Sequence, residues 1–551
     1  MKKLLIWALL LASTATAIAS TNGGQNDYVY VENGVLYLPS GKEMKLWGVN
    51  LQTPLSWEYN SRLRHVGTPF TAEALRELTD ESLDELQRMD VDVVRCHLTP
   101  ADFTTAKGEL VETLYLDMLD YMIAACKERG IYLYITFLNH MGNAYIKESM
   151  LNKTDHKEWI ISPSIVEKSK TYIEQLLNRK NRYTGGRYKE ESAICMWEII
   201  NEPRYYKYDE FKASPYAEIY TKWLTESGAS DTLEKYFEFR SEKVLGYIDG
   251  IYDLIRSTGA RQPIVWNCNW HRMVVDCQDV FDVIAQSKVE VVSFCNYPGQ
   301  NECKDPYWDN PLDHTERDFA QFFRNGHNKY EWYGWALSEP FASKAKVVYE
   351  FETFFNSSSY LYSQMARFMR SMGAQAACMW TYCMPNYAPY SMANPSEDEG
   401  AGYIISHSRD LAAFASDQIF AYSNSTDAED LQGALQHTPK RILGRGNSKF
   451  AASNSEGRYM IQVMGKELRI YVEPNVRYLR EHWQRCSYKD GVAVDVLYDD
   501  PCQMSLSIEG WQEDGHYTIQ RVEGKKRKKY AKVQSLSSLS LKPGEYVINK
   551  N

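Results

Sequence analysis

Eight short stretches of this chain are apolar at nearly every position instead of at every second one. They are 43–51 (EMKLWGVNL), 91–98 (VDVVRCHL), 131–137 (IYLYITF), 193–200 (AICMWEII), 263–269 (PIVWNCN), 289–296 (VEVVSFCN), 346–351 (KVVYEF) and 374–380 (AQAACMW). A strand with water on one face alternates; a strand covered on both faces does not. Amphipathic segments lie between them. Residues 71–89, 110–130, 162–181, 231–259 and 359–373 repeat apolar positions at helical spacing and precede the second, third, fourth, fifth and eighth strands, several stopping at a glycine. Strand and helix in alternation predict a (β/α)8 TIM barrel, with any site at the C-terminal ends of its strands. A doubly wound open sheet is the architectural rival, but no glycine-rich phosphate loop follows the first strand.

The pattern changes after a last helical segment at 408–423. From about residue 445 the runs alternate and are broken by turn residues: 457–465 (GRYMIQVMG), 468–474 (LRIYVEP), 503–510 (QMSLSIEG), 516–524 (HYTIQRVEG) and 538–548 (SLSLKPGEYVI). They predict a small all-β, sandwich-like C-terminal domain over 445–551, behind a catalytic barrel over 28–425. A basic run, KKRKK at 525–529, falls in an apparent hairpin and reads as a solvated turn.

Charge and the ends of the chain narrow the possibilities. The net charge of −10 excludes nucleic acid as a general partner. Lys2 and Lys3, an apolar stretch from Leu4 to Ala12 and Ala17-Ile18-Ala19 have the form of a signal peptide over 1–19, which predicts export to the periplasm, cell surface or exterior. No other segment is apolar for long enough to span a membrane. Cys96, Cys195, Cys268, Cys295 and Cys378 sit inside apolar runs and are expected as small buried side chains; Cys486 and Cys502 flank polar loops and are the disulfide candidates. No cysteine or histidine spacing suggests a metal, and no cofactor is expected. Aromatic residues reach 13%, with 40 Tyr and 14 Trp, which suits a protein that offers ring faces to a ligand.

Polar groups collect where the predicted strands stop: Asn50, Arg95 and His97, Asn139 and His140, Asn201 and Glu202, Asn267 and Asn269, Asn296 and Tyr297, Glu350, and Trp380. One such residue means little, but one at every strand end means that the strands converge on a ligand. Glu202 ends the fourth strand and Glu350 the seventh, which face each other across a barrel mouth. Two carboxylates flanking a cleft are the equipment of glycoside hydrolysis. Glu352, two residues on, is the rival for the second position. Glu198 lies inside the fourth strand and is expected to be the buried partner of an arginine.

NEP at 201–203, followed by a glutamate after the seventh strand, resembles the signature of the clan A glycoside hydrolases, the 4/7 superfamily. The stretch NRKNRYTGGRYKEESAICMWEIINEPR at 178–204 is similar to the corresponding segment of family five endo-β-mannanases, as are TFLNH at 136–140 and FCNYP at 294–298. The resemblance covers the barrel and implies a β-linked poly- or oligosaccharide substrate and a retaining mechanism. It implies that Glu202 is the acid/base and Glu350 the nucleophile. Asn201 would then bind the sugar 2-hydroxyl, Arg95 would keep Glu350 ionised, Tyr297 would donate to Glu350, Trp380 would be a sugar platform, and Asn139 and His140 would bind substrate. Three positions depart from the family pattern. Cys295 stands for its strand-six histidine, Tyr349 for a frequent glutamate, and Met141 for the tryptophan that follows Asn139-His140. Besides an endo-β-1,4-mannanase, the reading leaves open an exo-acting β-mannosidase or β-glucosidase, a β-glucanase, and a non-catalytic carbohydrate-binding barrel. Exo action would draw on the insertion at 298–345, with Trp308, Trp332 and Trp335, as a wall across the groove.

Overall fold

The computed structural model describes residues 27–56, 69–88, 91–140, 145–269, 276–297, 333–351, 360–380 and 382. It further describes strands between 394 and 498, and then 501–508, 511–512 and 514–550. An antiparallel hairpin, β1 (Tyr30–Glu32) and β2 (Val35–Tyr37), leads into eight parallel strands that close on themselves. These are β3 (Leu46–Asn50), β4 (Val93–His97), β5 (Tyr132–Leu138), β6 (Ile194–Ile200), β7 (Ile264–Asn267), β8 (Val291–Asn296), β9 (Ala345–Phe351) and β10 (Ala374–Met379), with β10 pairing back to β3. Nearly all their residues are buried, which is why the sequence does not alternate. The barrel interior packs Val93, Tyr134, Cys195, Val265, Val291 and Ala376, and Val29 and Leu36 of the hairpin segment join the same cluster. Gln375 of β10 holds the hairpin there, accepting from Leu36 N at 2.7 Å and donating to its carbonyl at 3.0 Å.

The helices follow local chemistry. α1 (Ala72–Arg88) precedes β4. α2 (Leu114–Arg129) starts at Thr113, whose side chain accepts from Leu116 N, and stops at Gly130 in the left-handed region, φ 69°. α3 (Pro163–Asn178) opens on a proline and precedes β6. Two shorter helices, α4 (Tyr208–Lys212) and α5 (Ala217–Ser227), follow β6, and α6 (Leu233–Ser257) is capped by Thr232. α7 (Gln278–Ile284) leads to β8 and α8 (Tyr360–Ser371) to β10. The segment 179–191 enters β6 from the N-terminal end of the barrel. Asp120 of α2 anchors it, accepting from Arg179 (2.7 Å) and Tyr188 (2.7 Å), while Asn181 donates to its carbonyl at 2.9 Å. The most family-like part of the sequence is thus a structural clamp at the end away from the strand C-termini.

Beyond the barrel, the described strands form antiparallel sheets, one of four and one of five strands among them. The basic run lies in the hairpin of Asp514–Glu523 with Lys526–Ser535, an edge of the five-stranded sheet, and Lys525 to Lys529 are exposed. Lysine on an edge strand discourages further pairing. The five cysteines read as buried are buried, each a thiol outside any disulfide. Cys486, Glu352, Trp308, Trp332, the helical segment 408–423 and the segment 1–19 fall outside the described residues. Trp335 departs from its expected place. It is 1% exposed, wedged against Phe281, Phe294 and Phe341, and so fills core instead of walling a groove.

Gly48 marks where β3 and β4 come closest. A Cβ there would lie 2.0 Å from the Val93 carbonyl oxygen and 2.5 Å from its Cγ1. Gly48→Ala is therefore expected to lower the unfolding free energy by about 1–3 kcal/mol. Urea denaturation checks this, and an unchanged midpoint would show that the two strands can part without cost.

Candidate active site

Strand ends bring the polar residues together around one guanidinium. Arg95, on β4, is fully buried. One nitrogen donates to Glu198 Oε1 at 2.5 Å and to Asn201 Oδ1 at 2.9 Å; the other donates to Glu350 Oε1 at 3.2 Å, to Asn50 Oδ1 at 3.0 Å and to His97 Nε2 at 2.5 Å. Glu198 is fully buried in turn. It accepts from Thr136 (2.9 Å), Ser293 (3.2 Å), Asn267 (3.4 Å) and the Tyr134 hydroxyl. It is the arginine partner expected from its place inside β6. His97 accepts from Arg95, and burial together with that adjacent charge keeps the imidazole neutral, far below its usual pKa.

Glu350 ends β9, 6% exposed, and Tyr297 at the end of β8 donates to its other oxygen at 2.7 Å. Burial pushes its carboxyl pKa up, while the Arg95 charge and the Tyr297 hydroxyl pull it back. Glu202 comes from the opposite side. β6 ends at Ile200, Asn201 N donates to Leu138 O at 2.8 Å, and Glu202 then turns into the left-handed region at φ 45°. That conformation is costly for a residue with a Cβ, and it is held from behind. Asn269, itself at φ 62°, donates to the Pro203 carbonyl at 3.2 Å. Burial, then the nearby Glu350 charge, raises the Glu202 pKa to about 7, against which the Tyr349 hydroxyl donates to Oε1 at 2.9 Å. The two glutamates therefore differ. Glu350 has a direct cation and Glu202 is inclined to keep its proton.

Neighbouring residues Tyr349 and Glu350 both reach this region, although alternation along a strand would send them to opposite faces. The pairing of β8 with β9 slips here, Phe294 facing Val348 and Cys295 facing Glu350, so Tyr349 is the extra residue of a β-bulge. Asn50 takes up its carbonyl at 2.9 Å.

The other candidates fall around this core. Asn201 is buried with Oδ1 on Arg95 and Nδ2 toward Asn139 Oδ1 at 3.5 Å; Asn139 Nδ2 lies 3.4 Å from His97 Nδ1. Trp380 is partly exposed and stacks on His97, centroids 5.3 Å apart. His140 stands farther out, stacked on buried His156 at 4.8 Å, with a pKa lowered to about 4 by burial. The residue that sequence reasoning missed is Tyr349. It stood out only as a departure from a family pattern, and no periodicity announces a bulge.

A closed parallel barrel carrying two glutamates on its fourth and seventh strands resembles that of the clan A glycoside hydrolases. Residues 51–317 match the family described as Cellulase (glycosyl hydrolase family 5). Similar proteins include mannan endo-1,4-beta-mannosidase 3 of Arabidopsis thaliana, 28% identical over 116 residues, which are 20% of this chain and 27% of that protein. Mannan endo-1,4-beta-mannosidase 2 of the same plant is 33% identical over 95 residues, 16% of this chain and 22% of that protein. The matches thus span about a quarter of these relatives' length. The endo-1,4-beta-mannanase structure from Rhizomucor miehei aligns at 17% identity and a TM-score of 0.47, over 72% of this chain and 99% of that one.

Glu198→Gln would leave Arg95 with a single carboxylate, itself needed elsewhere. Breaking a buried pair in this way is expected to cost about 3 kcal/mol of stability. Equilibrium unfolding in urea reads it, and a loss under about 1 kcal/mol would mean that Glu350 alone neutralises Arg95.

Proposed function

We propose that this chain is a retaining β-glycoside hydrolase, exported, that cleaves β-mannan or manno-oligosaccharides internally. The observation that carries the reading is the asymmetry between its two glutamates. Arg95 and Tyr297 hold Glu350, while burial and that same charge bias Glu202 toward the protonated form. Glu202 donates its proton to the glycosidic oxygen as the bond to the anomeric carbon breaks, and Glu350 attacks that carbon to form a glycosyl ester. Glu202, now ionised, takes a proton from water; the water oxygen attacks the anomeric carbon and frees Glu350. Asn201, its Oδ1 fixed by Arg95, turns its Nδ2 to the sugar 2-hydroxyl, and Trp380 offers a ring face. Asn139 and His140 border the binding groove. The β-mannan assignment leans on the activity for which the Arabidopsis relatives are named. Export leans on Lys2, Lys3, the apolar stretch after them and Ala17-Ile18-Ala19. A β-glucose-based substrate is the second reading within the class, favoured by Cys295, which is smaller than the imidazole that the resemblance places near the reacting sugar.

Because Glu202 must be protonated to donate, kcat/KM is expected to fall as pH rises through about 7. Glu202→Gln and Glu350→Gln should each fold and lose about 10³-fold or more on unactivated substrates. A pH profile with no alkaline limb, or near-native turnover in Glu350→Gln, would refute the assignment of roles; no activity in the unaltered protein on any β-glycoside would favour a binding barrel.

Substrate and stereochemistry are read in one experiment. Mannohexaose is expected to be cut with higher kcat/KM than cellohexaose, and NMR should show the β-anomer of the new reducing end first. Preference for the gluco-oligomer would reject β-mannan while leaving the mechanism, and an α-anomer appearing first would reject retention.

A further inference from the structure

We propose that Tyr349 is a positioning residue for the acid/base, its hydroxyl fixing the orientation of Glu202 and steadying its charged form. The inference rests on the glycosidase reading of Glu202 and Glu350. Tyr349 is fully buried and its hydroxyl lies 2.9 Å from Glu202 Oε1. The bulge at Tyr349 brings the phenol to that place, Asn50 secures the bulged carbonyl, and the Arg95 guanidinium lies over the ring at 4.9 Å from its centroid. Ring and backbone are thus held independently of the hydroxyl. The hydroxyl has one hydrogen, and Glu202 accepts it.

The consequence for Glu202 has a definite sign. A donor on a carboxylate stabilises the charged form and lowers the pKa. Tyr349 therefore opposes the upward push of burial and Glu350. The groups facing Glu202 are Tyr349 and Glu350 from β9, Cys295 and Tyr297 from the end of β8, Arg95 from β4, and Arg204 from its own loop. Of these, Tyr349 donates directly to it. Orientation matters as well: with Oε1 occupied by the phenol, the proton to be delivered sits on Oε2.

Tyr349→Phe removes one oxygen and leaves the ring. The alkaline limb of kcat/KM is expected to move to higher pH while the acid limb stays. Below the limb, kcat/KM should fall on the order of tenfold for substrates with poor leaving groups and little for dinitrophenyl glycosides, whose departure needs no proton. Fluorotyrosine incorporated at position 349, which keeps the ring and strengthens the donor, should move the limb to lower pH, and provides the test if the phenylalanine variant does not fold. Carbon-13 NMR of labelled glutamate reads the Glu202 titration directly, with no dependence on turnover, and should show the same upward displacement in Tyr349→Phe. An unmoved limb and titration, with equal losses for good and poor leaving groups, would reduce Tyr349 to a packing residue and overturn the proposal while leaving the glycosidase reading intact. A protein inert toward every β-glycoside would overturn both.

Discussion

A fully buried guanidinium is a charge that the barrel can hold only if its terminal nitrogens are answered. Arg95 meets that requirement with two carboxylates, two amides and an imidazole contributed by β3, β4, β6, the turn after β6, and β9. The first carboxylate, Glu198, is just as deeply buried and brings its own demands, met by Tyr134, Thr136, Asn267 and Ser293 from β5, β7 and β8. One ion pair therefore ties seven of the eight barrel strands at their C-terminal halves. Such pairs add little net stability over an apolar core, because desolvation offsets most of the attraction. What this one adds is placement. Removing any member leaves an unsatisfied buried group, so the strands are held in one register where Glu350 needs it.

The same arrangement separates the two glutamates. Arg95 is shared between Glu198 and Glu350, and Glu350 receives in addition the Tyr297 hydroxyl. Glu202 lies near enough to feel the Glu350 charge and is half-buried at the mouth. Its place depends on local strain, a left-handed backbone for a residue with a side chain, and Glu350 depends on a bulge one residue before it. Both irregularities fall on the two proposed catalytic strands. A regular barrel would send residues 349 and 350 to opposite faces and would let the chain run straight through 202.

Much of this was readable before any coordinates. The eight strands lie where continuous apolar runs place them, within a few residues at each end, because burial on both faces erases alternation and leaves a plain signal. Glu198 was legible as a buried partner since a lone carboxylate in an apolar strand needs a cation. The strand-end residues Arg95, Asn201, Tyr297 and Glu350 meet in one network, as convergence of strand ends requires. Trp335 was misplaced because a tryptophan in a long insertion carries no mark of the face it will cover. The bulge at Tyr349 was invisible for a different reason. It arises from a mismatch in length between neighbouring strands, a pairing property that no single stretch of sequence contains.

The two departures from the family pattern that border the reacting carboxylates make sense together. The resemblance places a histidine where Cys295 stands and often a glutamate where Tyr349 stands. A glutamate at 349 would add a carboxylate beside Glu202 and Glu350, next to an arginine already shared by Glu198 and Glu350, and an imidazole at 295 could offset it by taking a proton. Tyrosine and cysteine remove both of those charges at once. Both are held neutral by burial, and Tyr349 keeps a donor pointed at Glu202. Either replacement alone would unbalance the site: a histidine beside Tyr349 would face no extra anion, and a glutamate beside Cys295 would face no extra cation. Paired, they preserve the charge on which the difference between Glu202 and Glu350 depends. That is how the shell around the sugar can diverge while the two-glutamate arrangement stays as it is.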